Sequence, residues 1–212
     1  MITLDVISDP ICPWCLIGKS RLDAALAERP GHPFRITWRP FQLNPDMAEG
    51  GMDRQAYFNA KFGSPARAAE VYRNIAQAAE ADGLNLALDR IRRTPNTLNA
   101  HRLLRWARAA NAEEAVVSGL FERYFRLGED IGRTEVLLDV AGESGLDRTE
   151  IARLLATDAD RAETLEEESV ARGMGVNGVP TYIIDGRSAL TGAQPPAQWL
   201  RVIDALAATA PA

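Results

Sequence analysis

The chain has 212 residues, of which 46% are apolar and 25% charged, and its formal net charge is −5. That length buries a core without disulfide or metal staples, and the composition is that of an ordinary globular chain rather than a disordered or fibrous one. The acidic balance gives no basic footprint for nucleic acid, and no uncharged apolar window is long enough for a membrane helix, so neither is expected as a partner.

Residues 2–7, "ITLDVI", put Ile2, Leu4 and Val6 on one face at period two. This predicts a strand, and Ile7 predicts cover on its other face. The N-terminus has no basic n-region, and Asp5 and Asp9 interrupt its apolar run. It does not read as a signal peptide, and the chain is expected in the cytoplasm. "SDPICP" reads as a loop because Pro10 disfavours helix for Asp9. Pro13 suits the first turn of a helix that runs through Leu16, Leu22 and Leu26 to about Glu28, where "PGHP" breaks it. "FRITWRPFQL" alternates Phe34, Ile36 and Trp38 with Arg35, Thr37 and Arg39, a second strand. A right-handed crossover makes the two strands parallel.

From about Asp53 to Met174 the pattern turns helical. Ser64–Pro65 opens a helix that Asp82–Gly83 closes. Thr94–Pro95 opens another, carrying "LNAHRLLRWARAA". "EEAVVSGLFERYFRLG", "TEVLLDVAGESG", "RTEIARLLA" and "DADRAETLEEESVARGMG" follow at helical period, with no β-rich run among them. Tyr182, Ile183 and Ile184 then predict a strand, Asp185–Gly186 a two-residue hairpin turn, and "RSALTG" the returning strand. Pro195 and Pro196 open a final helix with Trp199, Leu200, Ile203 and Leu206 as its stripe. The order is βαβ, helices, ββα. It predicts an α/β chain in which residues 1–45 and 175–212 form one domain and residues 46–174 an inserted helical one.

Both cysteines, Cys12 and Cys15, sit at the start of the first helix with only Pro13 and Trp14 between them. In a reducing compartment a close thiol pair reads as metal-binding or catalytic. A chance pair of buried thiols is the plain alternative. A structural zinc site needs four ligands, yet there is no other cysteine, and His32 and His101 lie far apart. That leaves only a metal bridging two chains. A dithiol redox centre fits the placement best. The unpaired N–H groups and the positive end of the helix favour a Cys12 thiolate. Cys15, one turn further in, is placed to attack a mixed disulfide formed on Cys12.

Neighbouring residues are weighed the same way. Asp9 reads as a turn cap before proline, although a carboxylate brought close to Cys12 would oppose its thiolate. Lys19 reads as a solvated surface lysine. His101 reads as a hydrogen-bonded, partly buried brace of the helical part rather than a base, and Phe121, Tyr124 and Phe125 as core. "GVNGVPTYII" is an ordinary loop-to-strand join by itself. A cis Val179–Pro180 bond there would turn the Val179 backbone toward Cys12, ready to pair with an extended substrate or glutathione.

"SDPICPWCLIGK", "WRPFQLNPDM", "NTLNAHRLLRWA" and "GVNGVPTYIIDGRSALTGAQPPAQ" together resemble the DsbA-like branch of the thioredoxin superfamily, and within it the FrnE-like cytosolic oxidoreductases. The resemblance spans nearly the whole chain. It implies a thioredoxin fold with an inserted α-helical domain and thiol–disulfide oxidoreductase activity. By motif match Cys12 is the nucleophile, Cys15 the resolving cysteine and Pro180 the cis-proline, with Pro13, Trp14, Val179 and Pro180 against the substrate. The implied partner is a thiol or disulfide, protein or small molecule, and a homodimer is compatible. No metal or tightly bound cofactor is required, and glutathione remains open as substrate or co-substrate. A further redox pair found in some relatives near the C-terminus has no counterpart, because there is no third cysteine.

Two other readings stay in view. The kappa-class glutathione transferases and 2-hydroxychromene-2-carboxylate isomerases share the architecture, but typically use a serine nucleophile. Here both positions are cysteine, and "TGAQ", residues 191–194, lacks the Asp–Arg pair that group places near the glutathione γ-glutamyl end. A non-catalytic binder or chaperone would use the helical groove, and an exposed apolar patch around Trp14 would fit either that or substrate docking.

Overall fold

The computed structural model describes residues 1–209. Its central sheet holds β1 (Ile2–Ser8), β2 (Phe34–Pro40), β5 (Thr181–Ile184) and β6 (Ser188–Thr191), in the order β2-β1-β5-β6. β1 and β2 are parallel, as the crossover through α1 (Pro13–Glu28) requires, and β5 is antiparallel to both β1 and β6. Period-two alternation sends Leu4 and Val6 into the main core and Ile7 to the opposite face, where Phe41, Ala171 and Ile183 cover it. The sheet is therefore sandwiched. α1 and α9 (Pro196–Thr209) bury Leu22, Ala25, Trp199 and Ile203 on one side, and α8 (Arg161–Gly173) covers the other with Ala171. This is a mixed α/β chain with a thioredoxin-like fold and a helical insertion.

The helices between the sheet halves are α2 (Arg54–Phe62), α3 (Pro65–Ala81), α4 (Leu98–Ala109), α5 (Glu113–Phe121), α6 (Thr134–Glu143) and α7 (Arg148–Leu155), leading into α8. Their caps are local. Ser64 accepts from the Arg67 N–H, Asp53 from those of Gln55 and Ala56, and Asp147 from those of Thr149 and Glu150. Phe121, Tyr124 and Phe125 are buried in the same cluster as Leu4, Val6 and Trp38, so one continuous core joins sheet and insertion. At the outer edge of β2, Glu113 accepts the Trp38 N–H at 3.2 Å and Arg108 donates to the Trp38 carbonyl at 2.5 Å. These side chains occupy a strand edge that would otherwise offer unpaired backbone groups. No helix among the described residues is long and apolar enough to cross a membrane.

Several local expectations are corrected. The stretch after Asp53 is not free of strand: β3 (Met52–Asp53) and β4 (Arg93–Thr94) pair as a short antiparallel ribbon, too short to leave a period in the sequence. That pairing holds Thr94 extended, so α4 begins at Leu98, whose N–H is capped by the Asn96 side chain at 2.9 Å. The helical run at 113–128 changes character at Glu122, where one π-helical turn, Glu122–Leu127, replaces the α pitch. β2 stops at Pro40, since Phe41 donates instead to the Ser8 carbonyl at 3.2 Å. The β5–β6 connection has three residues rather than two: Asp185 and Gly186 take positive φ, and Arg187 donates back to Ile184.

Candidate active site

Cys12 is the N-cap of α1, with extended backbone angles and no side-chain cap bond, and Pro13 follows it in the first turn. No acidic residue lies in that turn, and the positive end of a 16-residue helix faces Cys12. The Cys15 and Leu16 N–H groups both donate to the Cys12 carbonyl, at 3.0 and 3.3 Å, which places Cys15 one turn deeper. Both cysteines are free thiols, close together and buried. Burial pushes the Cys15 thiol well up, and the neighbouring Cys12 pushes it further, while the Ser8 hydroxyl and the Asp9 main-chain N–H pull it down. Cys15 is thus held as a protonated thiol beneath Cys12.

The Val179–Pro180 peptide is cis, and the Cys12 thiol lies 3.6 Å from the Val179 carbonyl, to which it donates. These residues are 167 positions apart in the chain. Pro180 is buried, Val179 and Pro13 are half-buried, and Trp14 is 36% exposed beside the thiols. All six residues singled out in the sequence therefore meet at one place, the N-terminal end of α1 against the start of β5.

Gly18 and Tyr182 belong to the same place and were not singled out. A Cβ on Gly18 would overlap the Tyr182 hydroxyl and sit 3.1 Å from Pro180 Cγ. Only a glycine lets α1 approach the cis-proline segment this closely. Glycine is unfavourable inside a helix, so its presence in "CLIGK" was the available signal. Tyr182 stacks edge-on against Trp199 at 4.7 Å, and its buried hydroxyl has no hydrogen-bond partner.

Asp9 is fully buried and does more than cap a turn. Its carboxylate accepts the Ile11 N–H at 3.2 Å and the Leu43 N–H at 2.7 Å, and its carbonyl accepts the Cys12 N–H at 2.9 Å. Burial raises its pKa to about 7 against these stabilising bonds and one from Thr97, with Glu168 adding repulsion. Lys19 is the clearest correction. It is only 7% exposed, pairing with Asp23 at 2.7 Å and with Glu114 from α5. The helical wall adds Arg54, whose guanidinium lies 4.5 Å over Phe58 and donates to Thr94, Tyr124 and Tyr72 hydroxyls. Tyr57 donates to Asn44, and both line a cleft of about 490 Å³ with Leu43, Met47, Met52 and Lys61.

His101 is almost wholly buried rather than partly so, and its Nε2 has no partner. Burial lowers its pKa to about 4, although Glu168 and a bond to the Phe41 backbone pull upward. A depressed folded pKa gives stability that is present above the ordinary 6.5 and lost as pH falls through about 4. The difference in unfolding free energy between wild type and His101→Gln is therefore expected to rise with pH across that window and to flatten above it. Denaturant unfolding across the pH series checks this; a difference independent of pH would mean that the fold leaves the His101 pKa at its ordinary value.

The family model of the DSBA-like thioredoxin domain matches residues 3–204. The chain belongs to that family. Among DSBA-like relatives, the crystal structure of a probable DsbA oxidoreductase from Streptomyces coelicolor superposes with a TM-score of 0.88 at 28% identity, covering 100% of this chain and 92% of that one. The uncharacterized protein YwbO of Bacillus subtilis (strain 168) is 25% identical over 194 residues, 90% of each chain. The cytosolic disulfide reductase DsbM from Pseudomonas aeruginosa, solved with GSH, matches at a TM-score of 0.67 and 20% identity over 97% of this chain and 99% of that one, a likeness of fold.

Proposed function

We propose that the chain is a cytoplasmic thiol–disulfide oxidoreductase, with Cys12 as nucleophile and Cys15 as resolving thiol. The observation that carries this reading is the Cys12 thiol at the N-cap of α1, 3.6 Å from the Val179 carbonyl, with a second free thiol one turn below. As a thiolate, Cys12 attacks one sulfur of a substrate disulfide, forming a mixed disulfide and releasing the other sulfur as a thiolate that takes up a proton. Cys15 then gives up its proton and attacks the Cys12 sulfur. The Cys12–Cys15 disulfide forms and the second substrate thiol leaves. Two electrons pass from the protein dithiol to the substrate, and the reverse sequence oxidises a substrate dithiol.

Once Cys12 gives up its proton it no longer donates to the Val179 carbonyl, which is then left to accept an N–H from an extended substrate across the thiols, and Trp14 and Pro13 supply an apolar rim. Glutathione has the right chemistry as substrate or co-substrate, which the GSH-bound DsbM supports at the level of fold. The test is exchange of the reduced protein with glutathione disulfide, followed beside glutathione-dependent conjugation and isomerisation. The redox reading expects exchange that vanishes in the Cys12→Ser/Cys15→Ser double variant. Conjugation or isomerisation surviving in Cys15→Ser, with no exchange in wild type, would favour the transferase-like reading instead.

A further inference from the structure

The main chain of Asp9 leads into the thiol pair: its carbonyl accepts the Cys12 main-chain N–H at 2.9 Å, and its own N–H, with the Ser8 hydroxyl, pulls the Cys15 pKa down against burial. What fixes that main chain is the Asp9 side chain. One carboxylate oxygen holds the Ile11 N–H, inside the cysteine loop, and the other holds the Leu43 N–H, in the segment after β2. Phe41 donates to the Ser8 carbonyl just beside it, so the two segments are laced together at one point. An ionised carboxylate accepts both N–H groups. A proton placed on either oxygen makes it a donor and a poorer acceptor, and one of the two bonds is weakened or lost.

We propose that Asp9 is a positioning residue for thiol exchange: its ionised carboxylate pins the loop that carries Cys12, and gain or loss of its proton changes the reactivity of that thiol. The proposal rests on the exchange reading given above. The groups facing Asp9 are the Thr97 hydroxyl at the start of α4, Glu168 on α8, Tyr57 on α2 and Tyr124 on the π-helical turn. Behind Glu168 stand Gln42, Arg172 and the neutral His101. Burial, the largest cause, holds the Asp9 pKa at about 7. Loss of the pinning bond is a loss of orientation rather than of the nucleophile, so its effect on rate is graded.

The experiment is the pH dependence of iodoacetamide alkylation of reduced Cys12, read in wild type and Asp9→Asn, with thermal melting to check the fold. Wild type is expected to show a rise near pH 7 that Asp9 controls, in addition to any step from ionisation of the thiol itself. Asp9→Asn, which copies the uncharged form, matches wild type below that rise and runs about three- to tenfold slower above it, the range expected for one hydrogen bond. Superimposable profiles would overturn the proposal. If Asp9→Asn does not fold, the Asp9 carboxyl carbon is followed by NMR in wild type: a midpoint coinciding with the reactivity step supports the proposal, and a midpoint elsewhere overturns it. Alkylation does not require disulfide chemistry. An Asp9-dependent step in a protein that exchanges with no disulfide would retire the redox reading and leave the positioning role, and exchange without that step would do the converse.

Discussion

Replacing Cys12 with serine is expected to lower the rate of disulfide exchange by about 10³-fold or more, because a hydroxyl without an adjacent base is a far weaker nucleophile than a thiolate. Cys15→Ser has a different signature. Cys12 still attacks, but the mixed disulfide has no internal thiol to resolve it, so an adduct accumulates that dithiothreitol removes. Intact-mass spectrometry after mixing with glutathione disulfide distinguishes the two. The asymmetry follows from the geometry. Cys12 is at the helix N-cap against the Val179 carbonyl, while Cys15 is held deeper and protonated by burial. Stable adducts on Cys12→Ser rather than Cys15→Ser would reverse the assigned roles.

The second large effect is expected at Gly18. Gly18→Ala puts a methyl into the space of the Tyr182 hydroxyl and within 3.1 Å of Pro180 Cγ. Tyr182 is wholly buried and braced by Trp199, so it has little room to yield. Overpacking of this kind costs about 1–3 kcal/mol, a fall in melting temperature of roughly 2–12 °C for a chain of this size. It also pushes the Pro180 segment away from α1 and slows exchange. Gly31→Ala, where nothing lies within 4 Å, is the control and leaves both unchanged. Because the Tyr182 hydroxyl has no partner, Tyr182→Phe is expected to cost little alone and to restore much of the loss in the double variant. Additive effects of the two substitutions would show that the hydroxyl is not what the methyl meets.

Much of the scaffold was legible because its signals are local. Alternation in "ITLDVI" and "FRITWRPFQL", a proline in the first turn of α1 and the Ser64–Pro65 cap each act over a few residues; β1, α1 and α3 stand where those signals place them, and β2 does so as far as Pro40. The site was legible in part for the same reason: the cysteines, Pro13 and Trp14 are contiguous. Val179 and Pro180 were legible as a loop-to-strand join at which a cis bond would face Cys12, and the family resemblance added the role of Pro180 as the cis-proline. The residues missed depend on contacts between distant segments. Gly18 meets Tyr182 only after β5 has joined β1, and Leu43 meets Asp9 only where the segment after β2 folds back. Lys19 looked solvated because nothing near it in sequence says that Glu114 on α5 will cover it. The π-helical turn at Glu122–Leu127 leaves the apolar spacing nearly unchanged, so periodicity did not reveal it.

The central claim is that Cys12 and Cys15 act as one reversible two-electron couple. Its most direct measurement is a redox titration of the wild-type protein in glutathione buffers of graded potential, with the thiol state read by mass after acid quenching and alkylation. The account predicts a single transition from two alkylated cysteines to none, with the slope of a two-electron couple and an intramolecular disulfide at its oxidised end. Cysteines that alkylate independently, or a pair that never forms the bond across the whole range, would contradict it.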